Sequence, residues 1–363
     1  MENLLLHTRQ KQYRVTGLVL FVVACGTVLC RLLVYAISPF FGDDLFADTM
    51  LDLIFSGILQ LGFLLAAPML LYKFLLKNSW RDNFRFQNYR KTDWKILLLC
   101  VPLGIAGMFV TVGISLFWQV LMYMLFGYAA ATPTVAMPAA FPVGYFLLAV
   151  FLTGVLPGVC EENANRGGLI TTLRGSFSEG KTILLGGLIF GLFHQYVSQS
   201  FYTFMFGLAF TFLVLKTKSV FPGMIMHFVN NALSVYLDYA ETYGLFGGKI
   251  FPWMQEMLSG LAENPANLPT LAGLYLGACA LFAGILFLIV WLCKRNRKKA
   301  IDRTVRYIEG NAVVEVNRDK GIIGEPLSDT IRYKPTLRDN AFFLAALALT
   351  VLTTVFSLVW GYF

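Results

Sequence analysis

Long apolar stretches recur along this chain, and they limit its fold more than any other feature of the sequence. A helix that spans a membrane needs roughly 20 mostly apolar residues, and by this rule the chain has about nine such stretches. They are residues 15–37, 52–72, 95–127, 143–160, 182–198, 200–215, 219–240, 271–293 and 340–361. Only 14% of the 363 residues are charged, whereas soluble domains average about 25%. The sequence therefore predicts an all-α, polytopic integral membrane protein, a helical bundle whose first stretch is an uncleaved anchor.

The basic residues are grouped, and their grouping predicts the orientation of the chain in the membrane. Lysines and arginines precede the first stretch, follow the second and follow the eighth, the last group as KRNRKK at 294–299. Because basic loops face the cytoplasm, we expect a cytoplasmic N-terminus and, after nine alternating spans, an external C-terminus. The net charge of +8 is thus a topology signal, with attraction to anionic lipid. We expect a multi-pass protein of the plasma membrane and no nucleic-acid partner.

The distribution of polar residues divides the chain into four parts. Residues 1–135 are apolar helices joined by one basic cytoplasmic loop. Residues 136–240 hold most polar residues of the apolar stretches, and we expect the functional core there. The loop 241–270 is expected outside, with FPWMQEMLSGLA as a short interfacial helix. Residues 271–363 add two spans and a cytoplasmic segment, 294–339, for which a strand pair and a loosely ordered linker both stay open.

The stretch EENANR follows the fourth apolar run, and its spacings divide it into two faces of a helix. Glu162 and Arg166 are four residues apart with the glutamate first, which is the better orientation for an ion pair. Glu161 and Asn165 share a face that is rotated by about 100°. Glu162 is therefore neutralised by its own helix, whereas Glu161 is left without a cation. A partly desolvated carboxylate of this kind binds a proton more readily, which suits a general base.

Two of the three histidines fall inside apolar stretches, where polar side chains are costly and mark a functional path. In FGLFH, Phe190 lies one helical turn before His194. In HFVNN, His227 and Asn231 share a face, and both side chains donate hydrogen bonds suited to an oxyanion. The proline-glycine pair at 157–158 is expected to break the fourth span beside a water-filled cavity. Together these residues predict a reaction site within the membrane.

The order Glu-Glu-xxx-Arg, Phe-xxx-His and His-xxx-Asn over roughly residues 140–240 resembles the CPBP family. This family includes the type II CAAX prenyl endopeptidases and the bacteriocin-processing and Abi-type membrane proteins. The resemblance implies a hydrolase, an all-α intramembrane protease that cleaves near the C-terminus of its substrate or within a peptide. The roles that it implies are water activation by Glu161 with His194, an ion pair of Glu162 with Arg166, and oxyanion stabilisation by His227 with Asn231.

The sequence departs from this family at Asn163 and Asn165, where members usually carry apolar residues. Asn165 lies on the face of Glu161, and a hydrogen bond to that carboxylate would weaken it as a base. Both asparagines also suit a helix interface or a helix N-terminus.

Alternatives to a metal-free peptidase stay open at the level of sequence. No cofactor is expected, because Asn231 suits an oxyanion better than a metal. The alternative is zinc held by Glu161, His194 and His227, with water in the fourth position. A second alternative is a non-catalytic scaffold or bacteriocin immunity-type protein that keeps the fold. A third is a transporter or channel with a proton relay, although no pseudo-symmetric pair of broken helices is visible. The expected partners are the bilayer and a peptide or protein substrate, prenylated or unlipidated.

Overall fold

The computed structural model is built almost entirely of helices. The residues that it describes are 2–41, 45–127, 143–260, 264–302, 304–309, 312–317, 321–322 and 332–360. The α-helices are α1 Glu2–Ile37, α2 Leu45–Ile58, α3 Ala67–Leu75, α4 Trp80–Phe86, α5 Trp94–Phe126, α6 Val143–Val150, α7 Leu156–Glu162, α8 Ile170–Ser176, α9 Glu179–Phe193, α10 Val197–Thr217, α11 Phe221–Tyr243, α12 Ile250–Ser259, α13 Asn267–Asp302 and α14 Ala341–Trp360. A 3₁₀ turn, Ser38–Phe41, follows α1, and the π-helical segments are Leu59–Ala66, Phe151–Val155 and Asn163–Leu169. The predicted all-α membrane bundle is confirmed.

In the described part of the chain, six helical stretches are long and apolar enough to cross a membrane. They are Leu6–Phe41, Met50–Leu75, Trp94–Phe126, Val143–Ser176, Val197–Thr217 and Asn267–Asn296. The three other predicted spans also coincide with helices. Helix α9 has only 15 residues, α14 is apolar over Ala341–Ser357, and α11 carries His227, Asn230 and Asn231, which reduce its hydropathy. All nine predicted stretches form helices, but length and hydropathy support six of them as spans.

The helical stretch that carries EENANR is longer than the sequence indicates. The prediction of a span over 143–160 that is broken at its proline is wrong, because the helical stretch continues to Ser176. Pro157 lacks an N–H and clashes with the carbonyl four residues earlier. The π-helical segment Phe151–Val155 directly before it accommodates this mismatch. The backbone leaves helical geometry only at Gly167 (φ −73°, ψ −111°), so EENANR lies within the helical stretch.

Glycines bring this stretch close to α11. A Cβ at Gly158 would lie 3.1 Å from the carbonyl oxygen of Met224. Four residues later on the same face, Glu162 faces Gly223, where a Cβ would lie 2.7 Å from the glutamate Oε2. Small residues allow such close approach between membrane helices. The glycines therefore position the carboxylate of Glu162 against α11.

Two apolar clusters lie on either side of this contact. One joins α5, α9, α10, α11 and α13 through residues such as Leu103, Phe210 and Ile289. The other joins α1, the segment Leu59–Ala66, α3 and α7. The polar residues of the motifs are therefore enclosed by packed helices, and charged side chains there need partners within the bundle.

The segment between α13 and α14 contains a small antiparallel sheet. Strands β1 Thr304–Glu309, β2 Ala312–Asn317 and β3 Gly321–Ile322 pair in that order. Of the two interpretations of 294–339, the structure therefore favours strands, and the described residues of this segment form three of them. Helix α12 forms where the sequence predicts a short helix. Residues 136–142, which the sequence assigns to the start of the core, lie outside the described residues.

Candidate active site

Arg166 and Glu162 form a buried ion pair one helical turn apart. Arg166 Nη1 donates to Glu162 Oε1 across 3.1 Å, and neither side chain is exposed. Arg166 Nη2 donates to the carbonyl of Gly207 in α10 at 3.3 Å. The guanidinium also lies over the rings of Phe190 and Phe210, at 4.1 and 4.9 Å from their centroids. One cation therefore connects the EENANR stretch with α9 and α10.

Glu161 is the more accessible of the two glutamates, with 16% of its side chain exposed. Its Oε1 accepts a hydrogen bond from Gln60 Nε2 at 2.8 Å, and its Oε2 lies 3.9 Å from His227 Nε2. Asn165 donates at 3.0 Å to the main-chain carbonyl of Glu161. The hydrogen bond to the carboxylate that the sequence suggests for Asn165 does not occur in the described structure. A side chain four residues on competes for the helical carbonyl instead.

His194 follows the last residue of α9. A hydrogen bond holds its ring in one orientation. Its Nδ1 lies 2.9 Å from the carbonyl oxygen of Phe190. Because a carbonyl only accepts, Nδ1 carries the proton, and Nε2 has a free lone pair in the neutral ring. The Phe190 ring meets the imidazole edge-on, with centroids 4.9 Å apart. Arg31 of α1 donates to the main-chain carbonyls of His194 and Gln195 at 2.6 and 3.2 Å and so caps the helix.

His227 connects the two glutamates. Its Nδ1 lies 3.2 Å from Glu162 Oε1, while its Nε2 is the atom that faces Glu161. The ring stacks on Phe210, with centroids 5.1 Å apart and planes at 28°. The imidazole therefore has one nitrogen for the buried ion pair and one for the accessible carboxylate.

Asn231 contacts the π-helical segment Phe151–Val155 and not His227. Its Nδ2 donates to the carbonyl of Thr153 at 3.0 Å, and its Oδ1 accepts from Asn230 Nδ2 at 3.1 Å. Thr153 lies four residues before Pro157, which has no N–H to donate to the Thr153 carbonyl in an α-helix. Asn231 of α11 donates to that carbonyl. Its second amide proton is not used by a contact in the described structure.

Asn163 holds neighbouring helices together. Its Oδ1 accepts from Gln87 Nε2 at 3.3 Å and from the Tyr89 hydroxyl at 3.0 Å. Its Nδ2 donates to the carbonyl of Leu64 at 3.2 Å. The residue is fully buried. At this position, where the sequence departs from the family pattern, the asparagine forms hydrogen bonds between the EENANR stretch and the helices before it.

A cavity of about 190 Å³ brings four of the candidate residues together, namely Glu161, Asn165, Phe190 and His194. Its other walls come from α1 and the second helical stretch, which contribute Arg31 and Gln60, and from Tyr196 and Gln199 at the start of α10. Glu162, Arg166, His227 and Asn231 do not line it. The accessible glutamate and His194 thus line one space.

Gln60 and Arg31 are the site residues that the motifs missed. Both belong to the N-terminal helices, and both contact a candidate residue directly. The signal that would have indicated them is a strongly polar side chain inside an apolar stretch.

The candidate zinc ligands do not converge in this structure. Among the described residues, no group of three or more His, Cys, Asp or Glu side chains is arranged to hold a metal ion. The Nδ1 atoms of His194 and His227 contact Phe190 and Glu162, so their Nε2 atoms are the ones left for a ligand role, as in metal-binding histidines whose other nitrogen is hydrogen-bonded.

This arrangement defines a polytopic membrane protein with a carboxylate-histidine site inside its helical bundle. Residues 142–233 match the family model Type II CAAX prenyl endopeptidase Rce1-like, which confirms the similarity to the CPBP intramembrane proteases that the motifs indicate. The match contains EENANR, FGLFH and HFVNN, and it excludes Arg31 and Gln60. No curated protein and no solved structure matches the chain.

Proposed function

We propose that this protein is an intramembrane endopeptidase in which Glu161 and His194 activate water for attack on a peptide bond. The observation that carries this proposal is the shared cavity, in which the accessible carboxylate and the imidazole are both exposed to one space. The family match supports protease activity in general. The substrate is a peptide or protein segment that reaches the site from the bilayer or its surface, prenylated or unlipidated. We propose the plasma membrane as its location.

In the proposed reaction, Glu161 takes one proton from a water molecule while the oxygen bonds to the substrate carbonyl carbon. His194 Nε2 accepts the second water proton as a hydrogen bond and so orients the attack. The carbonyl oxygen becomes an oxyanion, for which His227 Nε2 and the second amide proton of Asn231 are the donors. When the C–N bond breaks, Glu161 returns its proton to the leaving nitrogen. The products are a carboxylic acid and an amine, and the acid then loses its proton to the amine or to solvent water.

The proposed role of His227 requires a hydrogen on both of its nitrogens. Glu162 Oε1 and the oxyanion are both acceptors, so each needs an N–H of the ring. In that state His227 Nδ1 donates to Glu162, and Nε2 is free to donate to the oxyanion. The reaction as proposed uses no cofactor.

The experiment is cleavage of a peptide library by the protein purified in detergent, with matched prenylated and unprenylated C-terminal peptides. We expect Glu161→Gln to lower kcat by about 10²–10⁴-fold, because it keeps the shape and removes the base. The matched control is Glu179→Gln, whose side chain is 56% exposed and pairs with Lys216, and it should cleave like the wild type.

The outcomes separate the candidate functions. Cleavage at wild-type rate by Glu161→Gln would reject the proposal. Activity that is lost with a chelator and restored by Zn²⁺ would replace the metal-free mechanism by the zinc version. No cleavage of any peptide by the wild type would favour the scaffold or immunity-type alternative.

A further inference from the structure

Gln60 is a buried glutamine in the second helical stretch, within its π-helical part Leu59–Ala66. It is only 4% exposed, and its neighbours in LQLGFLLA are apolar. An amide inside a membrane bundle is costly unless it is hydrogen-bonded, and it is a sign of function. The helix lies outside the segment that matches the family model. The three motifs therefore do not account for Gln60.

The π-helical part packs against α7 and directs Gln60 at the first glutamate. Extra residues in a helical turn are common at functional sites, where they re-aim a side chain. Gln60 Nε2 lies 2.8 Å from Glu161 Oε1. Because that oxygen only accepts when ionised, the amide nitrogen must face it, which fixes the orientation of the amide.

The other end of the same amide has no hydrogen bond. Gln60 Oε1 is buried without a partner among the described residues. A glutamine that served only to join helices would be expected to use both ends, since unsatisfied buried acceptors are destabilising. The contact with Glu161 is therefore made at the expense of Gln60's own hydrogen bonding. This is the pattern of a residue that serves a site and not the packing.

The two glutamates differ in the kind of donor that holds them. Glu162 Oε1 contacts the guanidinium of Arg166 and the ring of His227. Glu161 Oε1 accepts from a neutral amide, which orients a carboxylate without neutralising it. This leaves Glu161 Oε2 as the oxygen for proton transfer, 3.9 Å from His227 Nε2.

We infer that Gln60 is a positioning residue for Glu161. Its amide holds Oε1, so that Oε2 is presented to the attacking water. The inference rests on the proposed function for its consequence in the reaction, but the contact itself is testable without activity. The inference also gives the N-terminal helices a role in the reaction site, because Gln60 lies outside the segment that matches the family model.

The test compares Gln60→Met with Gln119→Met. Methionine keeps the length of the side chain and removes the donor. Gln119 is the matched control, because it lies in α5 and, among the described residues, its side chain donates to Ser115 of the same helix. The first readout is the carboxylate stretching band of Glu161, which is isolated as the infrared difference from Glu161→Gln. The second is kcat and KM for a cleaved peptide.

We expect the Glu161 band to shift in Gln60→Met and to stay in place in Gln119→Met. We also expect kcat to fall about 10- to 100-fold with KM within about twofold, since a misplaced reacting group lowers the rate by such factors. Gln60→Asn, which withdraws the donor by one methylene, should shift the band and lower kcat by a smaller factor. It replaces Gln60→Met if that variant does not fold.

An unshifted band with an unchanged kcat in folded Gln60→Met would overturn the inference. A fall in kcat with an unshifted band would also overturn it, because the effect would then not act through Glu161. A shifted band in a protein whose wild type cleaves nothing would support the positioning contact and reject the peptidase. The failure of one proposal is therefore distinguishable from the failure of the other.

Discussion

At the scale of single residues, the adjacent glutamates are separated by what each contacts. Glu162 is unexposed and has its charge compensated by Arg166, so it belongs to the packed interior. Glu161 faces a cavity and is held by an amide. The division follows from the helical turn, which rotates neighbouring side chains by about 100°. Two consecutive residues thus supply a structural carboxylate, Glu162, and a chemically available one, Glu161.

The buried pair gives the first prediction at this scale. Arg166→Met should destabilise the protein by about 3–5 kcal/mol, because it leaves Glu162 charged in an apolar interior. The double variant Glu162→Gln/Arg166→Met should recover most of the loss, since no uncompensated charge is left. Thermal melting in detergent measures both.

The control for this prediction is an ion pair on the surface. Lys216→Met removes the pair with Glu179, whose side chains are 33% and 56% exposed, and such pairs contribute about 0–1 kcal/mol. Equal melting temperatures for Arg166→Met and Lys216→Met would contradict a stabilising role for the buried pair.

Residue spacing was informative where partners are local. The Glu162–Arg166 pair is visible in the sequence because residues four apart on a helix are neighbours. The same rule brings Asn165 near Glu161 but does not say which acceptor it uses, and it uses the main-chain carbonyl. Gln60 lies 101 positions before Glu161. No local rule relates positions so far apart, so that contact needed the tertiary structure.

At the scale of elements, the fourth helical stretch shows why hydropathy misjudged a boundary. Its apolar run ends at EENANR, so the length rule ends the span there. The helix continues because its polar side chains find partners inside the bundle, such as Gln87 and Tyr89 for Asn163. Hydropathy measures the preference for lipid, whereas these residues face protein.

The approach of α7 to α11 gives the prediction at this scale. Gly158→Val should push the helices apart, because its Cβ would lie 3.1 Å from a backbone oxygen of α11. We expect a loss of about 1–3 kcal/mol and a weaker contact between Glu162 and His227. Melting in detergent and peptide cleavage should both decline.

The matched control is Gly144→Val in α6. The change from glycine to valine alters the helix propensity equally at both positions, but nothing described lies within 4 Å of a Cβ at Gly144. Equal losses for the two variants would contradict the idea that close packing positions Glu162.

At the scale of the whole molecule, the C-terminal part returns to the N-terminal helix. Asp339, before α14, is only 1% exposed. Its Oδ1 accepts from Gln10 at 3.1 Å and Arg14 at 2.6 Å, and its Oδ2 accepts from Thr336 and Tyr333. The contact puts the start of α1 on the same side of the bundle as the segment before α14. The charge pattern predicts this arrangement, but it does not indicate that Asp339 connects the two segments.

The contact of Asp339 with α1 gives the last prediction, which is a loss of stability in acid. Burial alone would raise the pKa of Asp339, but hydrogen bonds from Thr336, Tyr333 and Arg14 outweigh it and hold the pKa well below its usual range. A lowered pKa stabilises the fold above the pKa of the unfolded chain, about 3.9, and this contribution is lost as the pH falls towards the folded pKa. The wild type should therefore lose melting temperature below about pH 4.

Asp339→Asn separates this effect from general acid denaturation. At neutral pH the variant should be less stable by about 1–3 kcal/mol, because a charged acceptor for several donors is gone. Below about pH 4 the difference from the wild type should narrow, since the carboxyl of the unfolded wild type then binds a proton while the folded one stays charged until the pH reaches its lowered pKa. Glu179→Gln should keep a constant offset over the same range, because its side chain is exposed. A difference in stability between Asp339→Asn and the wild type that stays constant with pH would show that the contact with α1 does not depend on the charge of Asp339.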